Sequence, residues 1–267
     1  MNANALVVLS AADRDSTALS DPAGQAAALV GDHVDAVAAS LVEPWLAGGG
    51  SILFPGDPGW PTGLAALGQA APLMLWLRGS LPSQPADCVA IVGSRACTPY
   101  GRQAAADLAA TAVDVQRWVV SGGAKGIDAA AHEGALAAGG RTVLVAAGGA
   151  GRIYPASHRE LYINAARTGA VVWEFPATAP LRQAGFLTRN RLIAAMCATT
   201  VVAEARERSG ALNTARTAAD LGRLVLALPG PVTSAASGGC HRAIADGWGQ
   251  IVLGTDDLRA LLATVPA

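Results

Sequence analysis

The chain has 267 residues and a formal net charge of −1, and 52% of its residues are hydrophobic while only 4% are aromatic. This composition favours a folded core over a disordered chain. No apolar run reaches the roughly 18 residues that a membrane helix needs, and the N-terminus lacks the basic segment of a signal peptide, so we expect a cytoplasmic protein with no membrane partner.

The acidic and basic residues are unevenly distributed along the chain. Residues 1–87 carry eight acids against two arginines, a balance of −6. Residues 88–252 carry fifteen arginines and one lysine against ten acids, a balance of +6. A basic middle segment permits binding to nucleic acid, but arginines on solvated helix faces produce the same balance. The charge alone leaves both interpretations open.

The four cysteines stand far apart, and none belongs to a CxxC pair: Cys88, Cys97, Cys197 and Cys240. This spacing argues against a structural zinc site and fits a reduced, cytoplasmic protein. We therefore expect no bound metal, and no motif of the chain predicts a cofactor.

The first 87 residues predict an N-terminal extension with little regular pattern. Residues 1–50 form a short, partly helical leader, in which an amphipathic helix over 25–46 is broken by Pro44. Residues 51–87 form a pre-domain segment and linker. Two strands are expected there, at residues 51–56 and 73–77. The tryptophans of this region are interpreted as packing residues: Trp45, Trp60 and Trp76.

From residue 88 onward, short apolar segments alternate with helical patterns. Seven strands are expected, at residues 89–92, 118–120, 142–146, 170–173, 200–203, 224–228 and 251–253. Strands that alternate with helices of about ten to fifteen residues indicate βαβ units and a parallel sheet. The segment 88–253 is therefore predicted to be one α/β domain with about seven strands, followed by a C-terminal tail over 254–267.

The loops at one edge of this sheet are the candidates for a binding site. In open parallel sheets the ligand lies beyond the carboxyl ends of the strands. Four loops are expected to meet there, at residues 93–95, 122–126, 148–151 and 204–210.

The second of these loops is a glycine-rich turn between a strand and a helix that starts near Ile127. Glycines permit close approach to a ligand and positive φ angles, and a helix N-terminus suits a phosphate. The turn contains Gly122, Gly123, Lys125 and Gly126, and Lys125 is the only lysine of the chain. Either this single lysine has no functional meaning in an arginine-rich composition, or it is a point charge directed at an anion.

The glycine turns match none of the common nucleotide motifs. GxGxxG followed by an acid is absent, as is the P-loop pattern GxxxxGK[ST]. Asp128 and His132 are spaced as an acid–base pair on one helix would be. We favour Asp128 as a first-turn acid that complements the helix dipole, with His132 packed or hydrogen-bonded nearby.

Two further segments concentrate polar side chains. Arg189, Asn190 and Arg191 open an apolar helical pattern that Thr188 or Asn190 would cap. Arginines at a helix start oppose the dipole, and a phosphate backbone in front of them would resolve that conflict. The loop over 204–210 is either a solvated segment with local ion pairs or a further contact.

Several motifs occur in a fixed order along the chain: IVGSR at 91–95, TPYG at 98–101, SGGAKGIDAAAHEGAL at 121–136, IYP at 153–155, TRNRLIA at 188–194, RSGALNTA at 208–215, GR at 222–223, PGPV at 229–232 and GCHRAI at 239–244. Together they resemble the DNA-processing protein A (DprA/Smf) family, in particular its actinobacterial members. The resemblance implies an extended Rossmann-like, doubly wound fold that binds single-stranded DNA and forms a homodimer. It also implies protection of incoming DNA and transfer of the strand to the recombinase RecA in natural transformation, without covalent chemistry.

Carried over by position, the resemblance predicts one single-stranded DNA site, whose physics agrees with cationic side chains and glycine turns that hold phosphates. The expected site residues are Gly93, Ser94, Arg95, Gly122, Gly123, Lys125, Gly126, Arg189, Asn190, Arg191, Arg208, Ser209 and Gly210.

The sequence departs from the family pattern in three places. The proline of FPxRN is replaced in the run from Phe186 to Asn190, and a glycine-leucine-aspartate turn is replaced by residues 149–152. We also expect no C-terminal winged-helix domain.

An enzymatic alternative comes from a related Rossmann group, which includes nucleotide sensors and nucleoside-monophosphate phosphoribohydrolases. Those enzymes carry PGGxGTxxE with a catalytic glutamate on the helix. Here the turn holds Lys125, and Glu133 comes one turn too late, so the pattern is not met.

Overall fold

The computed structural model describes residues 3–11 and 21–265, which form one mixed sheet with helices on both faces. The strands are β1 (Ser51–Leu53), β2 (Leu75–Gly79), β3 (Cys88–Gly93), β4 (Trp118–Ser121), β5 (Thr142–Val145), β6 (Ala170–Trp173), β7 (Thr199–Glu204), β8 (Leu224–Ala227) and β9 (Gln250–Ile251). The helices are α1 (Ala3–Ala11), α2 (Pro22–Val30), α3 (Val34–Ala47), α4 (Pro99–Asp114), α5 (Ile127–Ala137), α6 (Arg159–Thr168), α7 (Gln183–Met196), α8 (Gly210–Asp220), α9 (Gly238–Ala245) and α10 (Thr255–Ala263). Short 3₁₀ segments lie at Gly31–His33, Thr62–Ala70, Pro85–Asp87 and Ala156–His158.

The sheet has the order β1-β2-β6-β5-β4-β3-β7-β8-β9, and β3 to β9 are parallel. Successive strands run outward in one direction from β3 to β6 and in the other from β7 to β9. The order therefore reverses between β3 and β7, which is the topological switch point of a doubly wound fold. The predicted α/β class and the seven strands of the segment 88–253 are confirmed.

The strands of the pre-domain segment join this same sheet. β2 pairs antiparallel with β6, and Trp76 lies opposite Trp173, while β1 pairs antiparallel with β2. The two strands predicted before residue 88 are present, and they extend the sheet from seven strands to nine.

Apolar residues on both faces of the strands explain why the sheet is covered twice. On one face, α7, α8 and α9 bury a cluster that includes Leu192 and Ala215. The other face is divided between α4, α5 and α10 around Leu108 and the N-terminal helices with α6 around Trp45. No helix in residues 3–11 and 21–265 is long and apolar enough to cross a membrane.

The predicted break at Pro44 is wrong. Pro44 lies inside α3, and the helical pattern over 25–46 is interrupted at Gly31 instead, which has a φ of 61°. Trp45, near the end of α3, donates to the Ser51 carbonyl at 2.9 Å and makes edge-to-face contacts with Trp76 and Trp173. The predicted packing role of the tryptophan at position 45 is therefore confirmed.

The predicted helix start near Thr188 or Asn190 is also wrong. Helix α7 begins at Gln183, seven residues before Asn190. Arg189 and Arg191 therefore lie in the middle of α7, where they do not oppose the dipole at its N-terminus.

Candidate nucleic-acid interface

A cavity of about 240 Å³ lies at the switch point, beyond the carboxyl ends of β3 and β7 and against α7. Three of the four predicted loops contribute to it. The fourth loop, residues 148–151, does not line the cavity. Its Gly149 forms a backbone bridge to Phe175, just after β6, and packs against the Pro176 carbonyl. Eight of the thirteen predicted site residues line the cavity: Gly93, Ser94, Arg95, Arg189, Asn190, Arg208, Ser209 and Gly210.

The loop after β3 is fixed to the end of β7 by hydrogen bonds. The Ser94 amide donates to the Glu204 carbonyl at 2.7 Å. The buried Glu204 carboxylate accepts from the Thr98 amide at 3.0 Å and from the Thr98 hydroxyl. Thr98 in turn caps α4 by accepting from the Gly101 amide at 3.1 Å. This network sets the position from which Arg95 projects.

The glycine turn over 122–126 packs against the protein's own atoms. A Cβ on Gly122 would lie 2.5 Å from Arg189 Nη2, one on Gly123 would lie 2.9 Å from Leu144, and one on Gly126 would lie 2.2 Å from the Ser94 carbonyl oxygen. These glycines are therefore required by close internal packing.

Two backbone amides, one in this turn and one at the start of α5, bond to acceptors of the protein itself. The Asp128 carboxylate accepts from the Ala124 amide at 3.3 Å, and the Ile127 amide donates to the Ser94 carbonyl at 3.1 Å. The turn thus holds a carboxylate of the chain where an external phosphate was expected. Lys125 is exposed on the outer side of the turn and does not line the cavity.

Arg189 is buried under the cavity, with 6% of its surface exposed. Its guanidinium donates to the Gly122 carbonyl at 2.7 Å, to the Val145 carbonyl and to Asn190 Oδ1 at 3.2 Å. Burial raises the pKa of Asp128, and the nearby Arg189 opposes that shift. We call Gly122, Asp128 and Arg189 the cavity floor.

Asn190 and Arg191 have different surroundings. The Asn190 amide donates to the Gly210 carbonyl at 3.1 Å, which ties α7 to the start of α8. Arg191 points away from the cavity, where it pairs with Glu174 at 2.8 Å and donates to the Ala70 carbonyl at 2.7 Å.

The cavity opening carries exposed cations. Arg95, Arg206 and Arg208 are exposed lining residues, and we call them the cavity rim. Next to them, Ser209 caps α8 by accepting from the Leu212 amide at 3.4 Å. Because this cap orders the loop after β7, Arg206 and Arg208 are held beside the opening.

Aromatic rings extend this surface from the rim. The Arg95 guanidinium lies 4.8 Å from the Phe186 ring centroid, and Phe186 makes an edge contact with Tyr154 at 5.3 Å. A second cavity of about 480 Å³ adjoins the first and shares Arg95, Phe186 and Leu187 with it. Cations beside accessible rings are the surroundings that unstacked bases and phosphates require.

The sequence interpretation did not assign Phe186, Arg206 and Tyr154 to the site. A signal was present for each, since Phe186 begins the FPxRN-like run, Arg206 belongs to the charged loop after β7, and Tyr154 belongs to IYP. Their roles depend on α7 starting at Gln183, which turns Phe186 toward the loop after β3.

The acid–base candidates on α5 are held in structural contacts. His132 is buried, its Nδ1 lies 2.6 Å from the Thr142 hydroxyl, and burial lowers its pKa to about 3. Glu133 is exposed and pairs with Arg102 at 3.1 Å. The preferred interpretation of Asp128 and His132 is thus confirmed. The four cysteines are free, and no group of three potential metal ligands occurs in residues 3–11 and 21–265.

Comparison with protein families supports, over most of the chain, the family resemblance that the sequence motifs carry. Residues 51–263 match the profile of the family described as DNA recombination-mediator protein A. A protein of Mycobacterium tuberculosis assigned as DNA processing protein DprA is 44% identical over 233 residues, which cover 83% of this chain and 60% of that protein. The DNA processing protein DprA of Streptococcus pneumoniae is 38% identical over 189 residues, 70% of this chain and 66% of the relative. The chain therefore spans about 60% of the length of the mycobacterial relative.

Solved structures agree with the sequence comparison. The crystal structure of the Streptococcus pneumoniae protein superposes with a TM-score of 0.75 at 30% identity, covering 91% of this chain and 87% of that one. DNA processing protein A from Helicobacter pylori, which binds single-stranded DNA, superposes with a TM-score of 0.72 at 26% identity, covering 81% and 97%.

Proposed function

The chain belongs to the DNA recombination-mediator protein A family, and we propose that it binds single-stranded DNA at the cavity rim and the adjoining aromatic surface. The observation that carries this proposal is that three exposed arginines surround the cavity at the switch point and that one of them, Arg95, lies over the Phe186 ring, which contacts Tyr154. Cations engage phosphates and rings stack on bases, and neither contact depends on the base sequence.

In this proposal the predicted site residues have three kinds of role. Arg95, Lys125 and Arg208 are exposed, and they contact the strand directly. Arg189 and the glycines of the turn support the cavity from beneath. Arg191 acts through its ion pair with Glu174, which orients α7.

We further propose the cellular role that the resemblance implies. The bound strand is protected and passed to RecA recombinase during natural transformation, by a cytoplasmic homodimer that performs no covalent chemistry. Binding at exposed arginines suits such a role, because contacts with phosphates break readily as salt or a competing protein displaces them.

The proposal is tested by fluorescence anisotropy with labelled oligothymidylate at low salt. Arg95→Ala is expected to weaken binding about tenfold, and Lys125→Ala less, since Lys125 lies outside the cavity lining. Arg242→Ala is the matched control, because Arg242 is exposed, pairs with Asp246 on α9 and lines neither the cavity nor the adjoining aromatic surface. Equal affinities for wild type, Arg95→Ala and the control would exclude the rim as the binding site.

One observation favours the enzymatic alternative enough to test it. Asp128 lines the cavity, and burial raises its pKa, which is a property shared by acid–base residues. Release of adenine from AMP by the wild type, lost in Asp128→Asn, would support a phosphoribohydrolase activity. We expect no release, because the carboxylate is held by the Ala124 amide and packed against Arg189.

A further inference from the structure

A third cavity, of about 600 Å³, lies between α6 and β2 on the other side of the loop that carries Tyr154. Its lining includes Arg78, Arg159 and Arg167, and none of its lining residues is acidic. We call this cavity the α6 groove. Three positive charges around one concave surface concentrate anions there.

The arginines of the α6 groove are arranged along one face of a helix. Arg159, Ile163 and Arg167 are spaced four residues apart, so they lie on the same side of α6. Arg159 and Glu160 both lie in the first turn, where the Glu160 carboxylate complements the helix dipole and leaves the Arg159 guanidinium available for an anion in the groove.

The opposite wall of the groove holds its arginine in a fixed position. The Arg78 guanidinium lies 4.8 Å from the Trp45 ring centroid and donates to the Gly48 carbonyl at 2.6 Å. Because these contacts restrain the side chain, little conformational entropy is lost when Arg78 binds a phosphate.

A short ridge separates the α6 groove from the aromatic surface. Ile153 lines the groove and the next residue, Tyr154, lines the cavity that shares Arg95 with the rim. The Tyr162 hydroxyl, on the groove side, donates to the Tyr154 carbonyl at 3.1 Å and accepts from the Tyr154 amide at 3.4 Å. The Tyr162 hydroxyl therefore holds this ridge in place.

We propose that the α6 groove is a second phosphate-binding segment for the same single-stranded DNA, which leaves the rim over Tyr154 and continues along α6. The inference rests on the proposed function at the rim. A continuous polyanion is the occupant that explains both surfaces, since both are cationic and consecutive residues of one loop, Ile153 and Tyr154, line them. The exposed Ile163 supplies an apolar contact for a base.

The test uses oligothymidylates of increasing length, from about 4 to about 24 nucleotides, a range that spans typical single-strand site sizes. For wild type we expect affinity to rise until an oligonucleotide fills both segments. Arg159→Ala/Arg167→Ala is expected to bind the shortest oligonucleotides normally and the longest about tenfold more weakly. The slope of log K against log salt for long oligonucleotides is expected to fall by about 1.4, which is about 0.7 for each lost phosphate contact.

The matched control is Arg216→Ala/Arg242→Ala, which also removes two exposed arginines but from α8 and α9. Thermal unfolding of each variant verifies that the fold is retained. If the α6 variant and the control bind long oligonucleotides alike, the second segment is excluded. A loss that is equal for short and long oligonucleotides also contradicts the proposal, because it would place no separate segment on α6.

The same experiment distinguishes failure of the two proposals. Arg95→Ala lowers affinity at every length if the rim binds DNA. If wild type fails to bind oligonucleotides of any length, the proposed function itself is wrong. Rim binding without length dependence in wild type leaves the proposed function standing and refutes the α6 groove.

Discussion

The cavity floor and the cavity rim use the same residue type for opposite purposes. Arg189 is buried and has protein partners for its guanidinium, whereas Arg95 is exposed and lies over the Phe186 ring. A buried guanidinium must be matched by acceptors of the protein, so Arg189 is committed to the fold. An exposed one keeps its donors available for a ligand. Substitution of Arg189 should therefore lower the stability of the fold, whereas substitution of Arg95 should lower the affinity for DNA, although both side chains line one cavity.

The largest expected effect is on the floor. Arg189→Ala leaves the carbonyls of Gly122 and Val145 without their donor and Asp128 without a neighbouring positive charge. We expect the free energy of unfolding to fall by about 3–5 kcal/mol, as for other broken buried ionic networks. Urea denaturation measures the change. Arg95→Ala should change stability by less than about 0.5 kcal/mol, and similar losses in both variants would break the distinction between floor and rim.

The next largest effect is a pH dependence of stability that is caused by His132, which lies on α5 one turn after Asp128 of the cavity floor. His132 has a pKa of about 3 in the folded protein against 6.5 when unfolded. Between these two pH values the His132 imidazole is protonated in the unfolded chain and neutral in the folded protein. The free energy of unfolding therefore falls as the pH falls below about 6.5, by up to about 1.4 kcal/mol per pH unit.

His132→Gln removes this proton linkage. Between pH 7.5 and 4.5, wild type should lose about 2–3 kcal/mol more than the variant, because carboxylates titrate equally in both. Urea denaturation at the two pH values measures the difference. Parallel losses would show that His132 becomes protonated within the fold.

A smaller effect is expected at the glycine turn. Gly122→Ala would put a Cβ 2.5 Å from Arg189 and 2.7 Å from the Asp128 carboxylate, which should cost about 1–3 kcal/mol. Gly185→Ala is the matched control in α7, where nothing lies within 4 Å of the added atom. That control should stabilise the protein by about 0.5–1 kcal/mol. Tolerance of Gly122→Ala, measured by thermal unfolding, would mean that the floor is less closely packed than described.

The smallest effect should appear at the rim. Arg208→Ala is expected to weaken oligothymidylate binding by about 1 kcal/mol with unfolding unchanged, because Arg208 is exposed. Anisotropy and urea denaturation on the same preparation measure both quantities. Loss of stability without loss of affinity would reverse the assignments of floor and rim.

The sheet could be predicted from sequence because its strands are short, apolar and regularly spaced. The same pattern identified the loops after β3 and β7 as neighbours. It failed at α7, where the apolar pattern starts at Leu192 but the helix starts at Gln183. The first two turns of α7 gain stability from contacts that are distant in sequence, such as Arg189 with the Gly122 and Val145 carbonyls. Local propensity does not report such contacts.

The glycine turn shows a second limit of the sequence. Glycines before a helix predict an anion site, and the prediction did not consider that the anion could be a side chain of the same helix. Asp128 follows Ala124 by four residues, close enough for its carboxylate to accept from that amide. A carboxylate in the first turn was noted for its effect on the dipole, yet it also fills the turn.

The antiparallel pairing of β2 with β6 has a consequence for the order of folding. Trp76 and its partner Trp173 are 97 residues apart in sequence, from position 76 to position 173. At a translation rate of about 5–20 residues per second, β6 is synthesised roughly 5–20 seconds after β2. During this interval the apolar side chains of β2 have no partner strand on that side. Non-local pairings of this kind slow folding and leave apolar strands exposed in the interval. Nascent chains should therefore be most vulnerable to aggregation and to capture by chaperones before β6 has been synthesised and has paired with β2.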